Sequence, residues 1–171
     1  MPAGFVTVRV WGGTIKSTLM GLSIRLASSA DGEALTALAR RLGAIPLPHW
    51  RTPDEISAAD TREMLATLAA PSPDNEVLVA DRDGHIVGCL HMLTMTDFFG
   101  RPHAHISVIA TTEDAEGTGV GRALLERAEA WARDRGMSLL TLNVFDGNAR
   151  ARRFYESAGF APETLKYSKP V

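Results

Sequence analysis

Apolar positions along this chain recur with a period that switches between two and about 3.6, and each switch marks a change of element. Ile24 and Leu26 alternate with polar neighbours from Leu22 onward, which predicts a strand. Ala34, Leu35, Leu38, Ala39 and Leu42 then fall at helical spacing, with Ser29 or Asp31 as the start signal and Gly43 as the stop. After the proline-stiffened stretch "IPLPHW", Thr52, Pro53 and Glu55 give a capping signature for a second helix, which runs to about Ala70. "EVLVA" and "HIVGCLHMLTM", joined by "DRDG", read as a hairpin because Asp-Gly supplies the positive φ angles of tight turns. A further turn, "TDFFGRP", returns the chain along "HAHISVIAT".

The second half mixes its elements. Val120, Leu124, Leu125, Ala128 and Trp131 form one apolar helical face that closes at Gly136, and the continuously apolar "SLLTLNV" reads as a strand covered on both sides. A polar turn, an arginine-rich helix from Asn148 and "FAPETLKYSK" as a final pair of short strands complete the pattern. The first residues are less regular: "FVTVRVWGGTIKSTLMG" begins as an alternating strand and is broken by Gly-Gly. The expectation is a single α/β domain, 22–171, preceded by an extension, 1–21, that is frayed or pairs as an extra edge strand. Deleting residues 1–19 is expected to leave folding intact unless "VTVRVW" completes a homodimer.

Composition narrows the class. The 171 residues carry 45% hydrophobic and 22% charged side chains and a formal net charge of −2, which fits a globular domain and argues against a nucleic-acid-coating protein. Cys89 is the single cysteine, so no internal disulfide forms, and its apolar setting reads as packing. No apolar run reaches the ~20 residues of a membrane span and no leader pattern is evident. The expectation is a soluble cytoplasmic protein without membrane partners.

Candidate chemistry begins at "EGTGVGR". A helix starting there presents unpaired backbone N–H groups, and glycines let an anion approach them. The spacing Gly117, Gly119, Gly121 misses the dinucleotide fingerprint, and no Gly-Lys-Ser/Thr follows. Downstream, Asn148, Ala151 and Tyr155 share one helical face, because seven residues at ~100° each fall about 20° short of two turns. Ordinary packing would account for Ala151 and Tyr155 taken alone.

Together, the glycine loop and the Asn-x-x-Ala-x-x-x-Tyr-x-x-x-Gly-Phe run ending at Gly159 and Phe160 resemble the GNAT superfamily of N-acetyltransferases. That resemblance implies a mixed, mostly antiparallel sheet of six to seven strands flanked by about four helices, with two strands splayed at the cofactor site. It also implies acetyl-coenzyme A as co-substrate, direct attack by an amine, and no metal. The cofactor would be held by Glu116, Gly117, Thr118, Gly119, Val120, Gly121 and Arg122, by Ile109 and Thr111 on the splayed strand, and by Asn148, Ala151, Arg152 and Tyr155. Glu116 departs from the family's usual Gln or Arg, which shifts the expected anion contacts to backbone amides and Arg122.

By the same resemblance Tyr155 is the general acid for the departing thiolate and Asn148 bonds the pantetheine arm. A phenol of pKa ~10 stays protonated at neutral pH and can serve a thiolate whose conjugate acid is ~8.5. The attacking ammonium must also lose a proton, and no glutamate stands on the expected strand. His105 or His103, acting through water, are the candidate bases, with Glu113 a weaker one in the loop. Strict alternation places His103, His105, Ser107 and Ile109 on one face. Folding the hairpin at Phe98 to Gly100 sets His91 opposite roughly Val108, away from the other two histidines, which leaves no three convergent zinc ligands. The acceptor is expected to be a small-molecule primary amine. Alternatives are a protein N-terminus or lysine, or a non-catalytic acyl-coenzyme A binding module.

Overall fold

The computed structural model describes residues 21–170. The expectations for residues 1–19 lie outside the described residues. Strand β1 (Leu22–Leu26) leads through a short 3-10 turn, Ser29–Asp31, into α1 (Gly32–Leu42). Asp31 anchors this turn: its carboxylate is buried and accepts from both Arg25 Nη atoms at 2.9 Å and from the Ser28 backbone N–H at 2.8 Å. Helix α2 (Pro53–Ala69) starts on the expected capping box, with Thr52 Oγ1 accepting from Glu55 N–H at 3.2 Å and the Glu55 carboxylate accepting from Thr52 N–H at 2.9 Å.

Strands β2 (Asn75–Arg82) and β3 (His85–Thr96) form the expected hairpin, and Asp83 and Gly84 at its tip take φ values of 53° and 84°. Then come β4 (Pro102–Thr111), α3 (Val120–Asp134), β5 (Leu140–Leu142) and α4 (Ala149–Ser157). Among the described residues the sheet has five strands in the order β1-β2-β3-β4-β5, antiparallel throughout except for the parallel β4–β5 pair.

Alternation sorts the strand residues between two cores. Leu78, Ala80, Leu90, Met92, Ala104 and Ile106 pack with the apolar stripe of α3, and Phe154 and Tyr155 of α4 close the same side. Val77, Val79, Cys89, Val108 and Ala110 pack on Leu35, Leu38 and Ala39 of α1 and Met64 of α2. Helix α3 lies close on the sheet where Gly88 has no side chain: a Cβ there would stand 3.0 Å from Ala110 O and 3.1 Å from Val120 Cγ1.

Two strand expectations are corrected. Six to seven strands were expected and five form among the described residues, where 161–170 makes no ladder and stays exposed. Leu165 is 78% and Tyr167 89% exposed, so neither face of that segment is covered, and Pro162 lacks an N–H. The continuously buried strand expected at "SLLTLNV" shrinks to the three half-buried residues of β5, since β5 pairs with β4 alone.

A third correction concerns β4. His91 pairs with Val108 but Met92 pairs with Ile106, so Ser107 is an extra residue, a β-bulge. Ala104 and Ile106 before it face α3, whereas Val108 and Ala110 after it face α1 and α2. His103, His105 and Ser107 therefore share the α1–α2 face as expected. Ile109 does not: it packs on the α3 side.

Candidate acetyl-transfer site

Strand β5 pairs with β4 only from Ala104 to Ile106, so from Ser107 onward β4 has an open edge and the sheet divides. The bulge sits at the apex of this opening. Elements from both faces of the sheet converge on it.

On the α3 side lies the glycine loop. Gly117 and Gly119 take φ values of 72° and 91°, and Gly119 caps α3. Local bonds from Glu116 N–H to Glu113 O and from Thr118 N–H to Ala115 O curl the loop. Among the described residues, the N–H groups of Gly117, Gly119, Val120, Gly121 and Arg122 have no acceptor, which makes a concave row of donors at a helix N-terminus. Helix α4 crosses this turn closely: a Cβ on Gly121 would meet the Phe154 ring at 3.3 Å.

The charged side chains around the loop are arranged differently from the expectation. Glu116 is gripped by Arg41 from α1 at 2.8 Å and by Arg150 from α4 at 2.6 Å. The hydrogen bond from Arg150 holds its carboxyl below the usual carboxylate range, and Arg41 adds to this. Arg41 also donates from Nε to Thr111 O at 2.9 Å, and Arg82 donates to Thr118 Oγ1 at 3.1 Å. The Arg122 guanidinium turns to Ser157 O at 3.3 Å, and Arg152 pairs with Asp146 at 2.8 Å. Arg41, Arg82 and Arg150 thus stand around the loop, the first and last of them paired with Glu116. Sequence reading had no local signal for Arg41 and Arg82, which come from a distant helix and strand.

Asn148 and Tyr155 both lie on α4. Asn148 is its N-cap, with Oδ1 accepting from Ala151 N–H at 3.1 Å, so the amide nitrogen alone is left for a ligand. Tyr155 is largely buried between Phe154 and Phe160, ring centroids 5.4 and 5.8 Å away, and burial pushes its phenol up to about 12. The α1–α2 loop closes beside the turn before α4, because a Cβ on Gly147 would stand 3.0 Å from Pro46 O.

On the α1–α2 side, His105 Nδ1 bonds Thr141 Oγ1 at 2.8 Å and its Nε2 stands 3.4 Å from Asn143 Nδ2. Burial, reinforced by His103, lowers its pKa. His103 is 9% exposed and its Nδ1 has no partner among the described residues. His91 is buried opposite Val108 and shares Nε2 with Thr67 Oγ1 at 3.0 Å. Cys89 is buried, its thiol pushed up to about 12 by burial. Glu113, 88% exposed, stands 3.8 Å from Arg41.

Two carboxylates escaped the sequence reading. Ser107 Oγ donates to Glu63 Oε2 of α2 at 2.9 Å. Asp60, one turn earlier, is pushed up to about 6 by burial and by the Glu63 charge. A signal existed for Asp60, which falls at helical spacing with Met64 and Leu68 in the inward stripe of α2. None of the expected site residues lines the open groove between α1 and α2 around Arg40, Asp54, Thr61 and Arg62. Among the described residues no three or more His, Cys, Asp or Glu side chains gather to hold a metal ion, and no helix is long and apolar enough to cross a membrane.

Comparison with known proteins matches this architecture. The model of the Acetyltransferase (GNAT) family fits residues 36–160, and the chain belongs to that family. It is 30% identical over 133 residues to an uncharacterised N-acetyltransferase of Mycobacterium bovis, covering 76% of this chain and 83% of that protein. It is 36% identical over 89 residues to a mycothiol acetyltransferase of Propionibacterium freudenreichii, covering 52% of this chain but only 28% of the relative's length. Among solved structures, an aminoglycoside N-acetyltransferase in complex with CoA shares the fold at a TM-score of 0.68 and 17% identity, over 88% of this chain and 95% of that one.

Proposed function

We propose that the protein transfers the acetyl group of acetyl-coenzyme A to a primary amine of a small molecule by direct attack. The observation that carries this is the convergence of the glycine cradle, the Asn148–Tyr155 face of α4 and the open edge of β4 beyond Ile106 on one opening. Membership of the GNAT family and the relatives that act on small molecules support it.

In this reading the free amides from Gly117 to Arg122 hold the pyrophosphate, Arg41, Arg82 and Arg150 supply positive charge, and the arm runs past Asn148 and Ala151 into the split. Ile109 and Thr111 line the open edge, where a backbone N–H would meet the oxyanion. The amine's lone pair attacks the thioester carbonyl, the C–S bond breaks, and Tyr155 meets the departing sulfur. Complete proton transfer from a phenol at about 12 to a thiolate at ~8.5 is uphill by roughly 5 kcal/mol, so Tyr155 acts by a hydrogen bond that shortens as charge develops.

The test is release of free coenzyme A thiol across a panel of small primary amines and of peptides with free N-termini or lysines, beside thermal shift with acetyl-coenzyme A. Turnover of small amines supports the reading. Turnover of peptides alone replaces the acceptor class, and a thermal shift without any turnover makes the chain a binding module.

A further inference from the structure

The geometry points to Glu63 as the base that takes the proton from the acceptor ammonium, with Asp60, one helical turn before it, a positioning residue. This rests on the acetyl-transfer reading. The first ground is place. Glu63 comes from α2, yet its carboxylate is fixed at 2.9 Å by Ser107, the one residue of β4 that the ladder does not use and the residue at which β4 and β5 part. A thioester admitted to that opening has its carbonyl at the bulge, and an amine approaching from the α1–α2 face meets Glu63.

The second ground is the company it keeps. His91 and His105, from β3 and β4, both lie within the field of the Glu63 charge, and His91 Nδ1 is buried with no partner among the described residues. Both imidazoles are held in their neutral forms by burial, and His105 has its Nδ1 committed to Thr141. Among the described residues the Glu63 carboxylate is the titratable group hydrogen-bonded to the bulge residue itself. The titratable groups that feel the Glu63 charge are Asp60 on its own helix, His91 on β3 and His105 on β4.

Asp60 is the neighbouring acid. Its carboxyl is pushed up to about 6 by burial and then by the charge of Glu63 one helical turn away. The step balances simply. Glu63 takes H⁺ from R–NH₃⁺, the C–N bond forms as the freed lone pair adds to the thioester carbonyl, the C–S bond breaks with its electron pair left on sulfur, and the second proton leaves nitrogen for that thiolate, giving the neutral amide and the free thiol.

The experiment compares wild type, Glu63→Gln and Asp60→Asn with two acceptors: the best alkylamine from the panel and its alkoxyamine isostere, which is already unprotonated at neutral pH. Glu63→Gln is expected to lose ~10² to 10⁴-fold in kcat/KM with the alkylamine and far less with the isostere. It should keep the acetyl-coenzyme A thermal shift. Asp60→Asn should move the acidic limb of the alkylamine profile to lower pH. Equal losses with both acceptors, or alkylamine turnover within threefold of wild type, would overturn the assignment. A wild type that acetylates no amine would remove the transferase reading and this base with it, whereas a lost thermal shift in Glu63→Gln would show a merely structural role.

Discussion

At Tyr155 the environment decides what one hydroxyl can do. Burial keeps the phenol protonated, so kcat should show no alkaline downturn from this group up to about pH 10. Tyr155→Phe keeps the ring between Phe154 and Phe160. It should lower kcat by ~10² to 10⁴-fold while moving the Michaelis constant for acetyl-coenzyme A little, as read by steady-state thiol release. Turnover within threefold would return Tyr155 to packing alone. Asn148 has two duties on one amide, since the oxygen caps α4 and the nitrogen is left for the ligand. Asn148→Ala should therefore raise the cofactor's Michaelis constant and also cost about 1 kcal/mol of stability, seen in chemical denaturation. Asn148→Asp separates the two, because a carboxylate still caps the helix but offers no donor to the arm. Its stability should match wild type while the Michaelis constant rises.

In the proposed reading the glycine loop works as an element, because its backbone conformation and not its side chains would face the ligand. Gly119 at a φ of 91° is in a region that β-branched residues rarely enter. Gly119→Val should abolish the rise in melting temperature with acetyl-coenzyme A, a shift worth about 2.7 kcal/mol for a ligand at a hundred times its Kd. An unchanged shift in the folded variant would remove the cradle from the mechanism. This loop was legible in the sequence, as were the Thr52–Glu55 cap and the Asp83–Gly84 turn, because each depends on residues within four positions. Strand β4 was legible only by half. Ala104, Ile106, Val108 and Ala110 are buried without interruption, so the two-residue rhythm is intact, yet the first two enter one core and the last two the other. The shift lies in the pairing with His91 and Met92, and no pattern within a single strand records its partner's register. The expected C-terminal strands failed for a related reason: Leu165 and Tyr167 alternate correctly, but strand formation needs a neighbour and a covered face.

Across the whole molecule, the site draws on helices from both sides of the sheet, and its carboxylates weaken the fold that holds them. The Asp60 carboxyl titrates at about 6 in the folded chain against an ordinary 3.8, so the folded protein binds more protons between about pH 4 and 6. Stability therefore falls as pH rises through that window and stays lower at neutral pH. Asp60→Asn should stabilise the fold at pH 7 by roughly 1–2 kcal/mol after allowing for its partial exposure, seen as a higher melting temperature, and give no gain at pH 4. Asp31 behaves in the opposite sense. Its carboxyl is held down at about 2, chiefly by Arg25, so its contribution is complete above the unfolded value and is lost as pH falls through about 2. The bulge at Ser107 carries the same tension into the backbone. If residue 107 were deleted, Ile106 and Val108 would become consecutive against Met92 and His91, the ladder would close, and Val108, Ile109 and Ala110 would keep the faces they already occupy. A shortened β4 is thus compatible with every core contact described, and it should be straighter and at least as stable. What the chain would lose is the gap in its own sheet: the extra residue adds nothing to the ladder and gives the reaction its room.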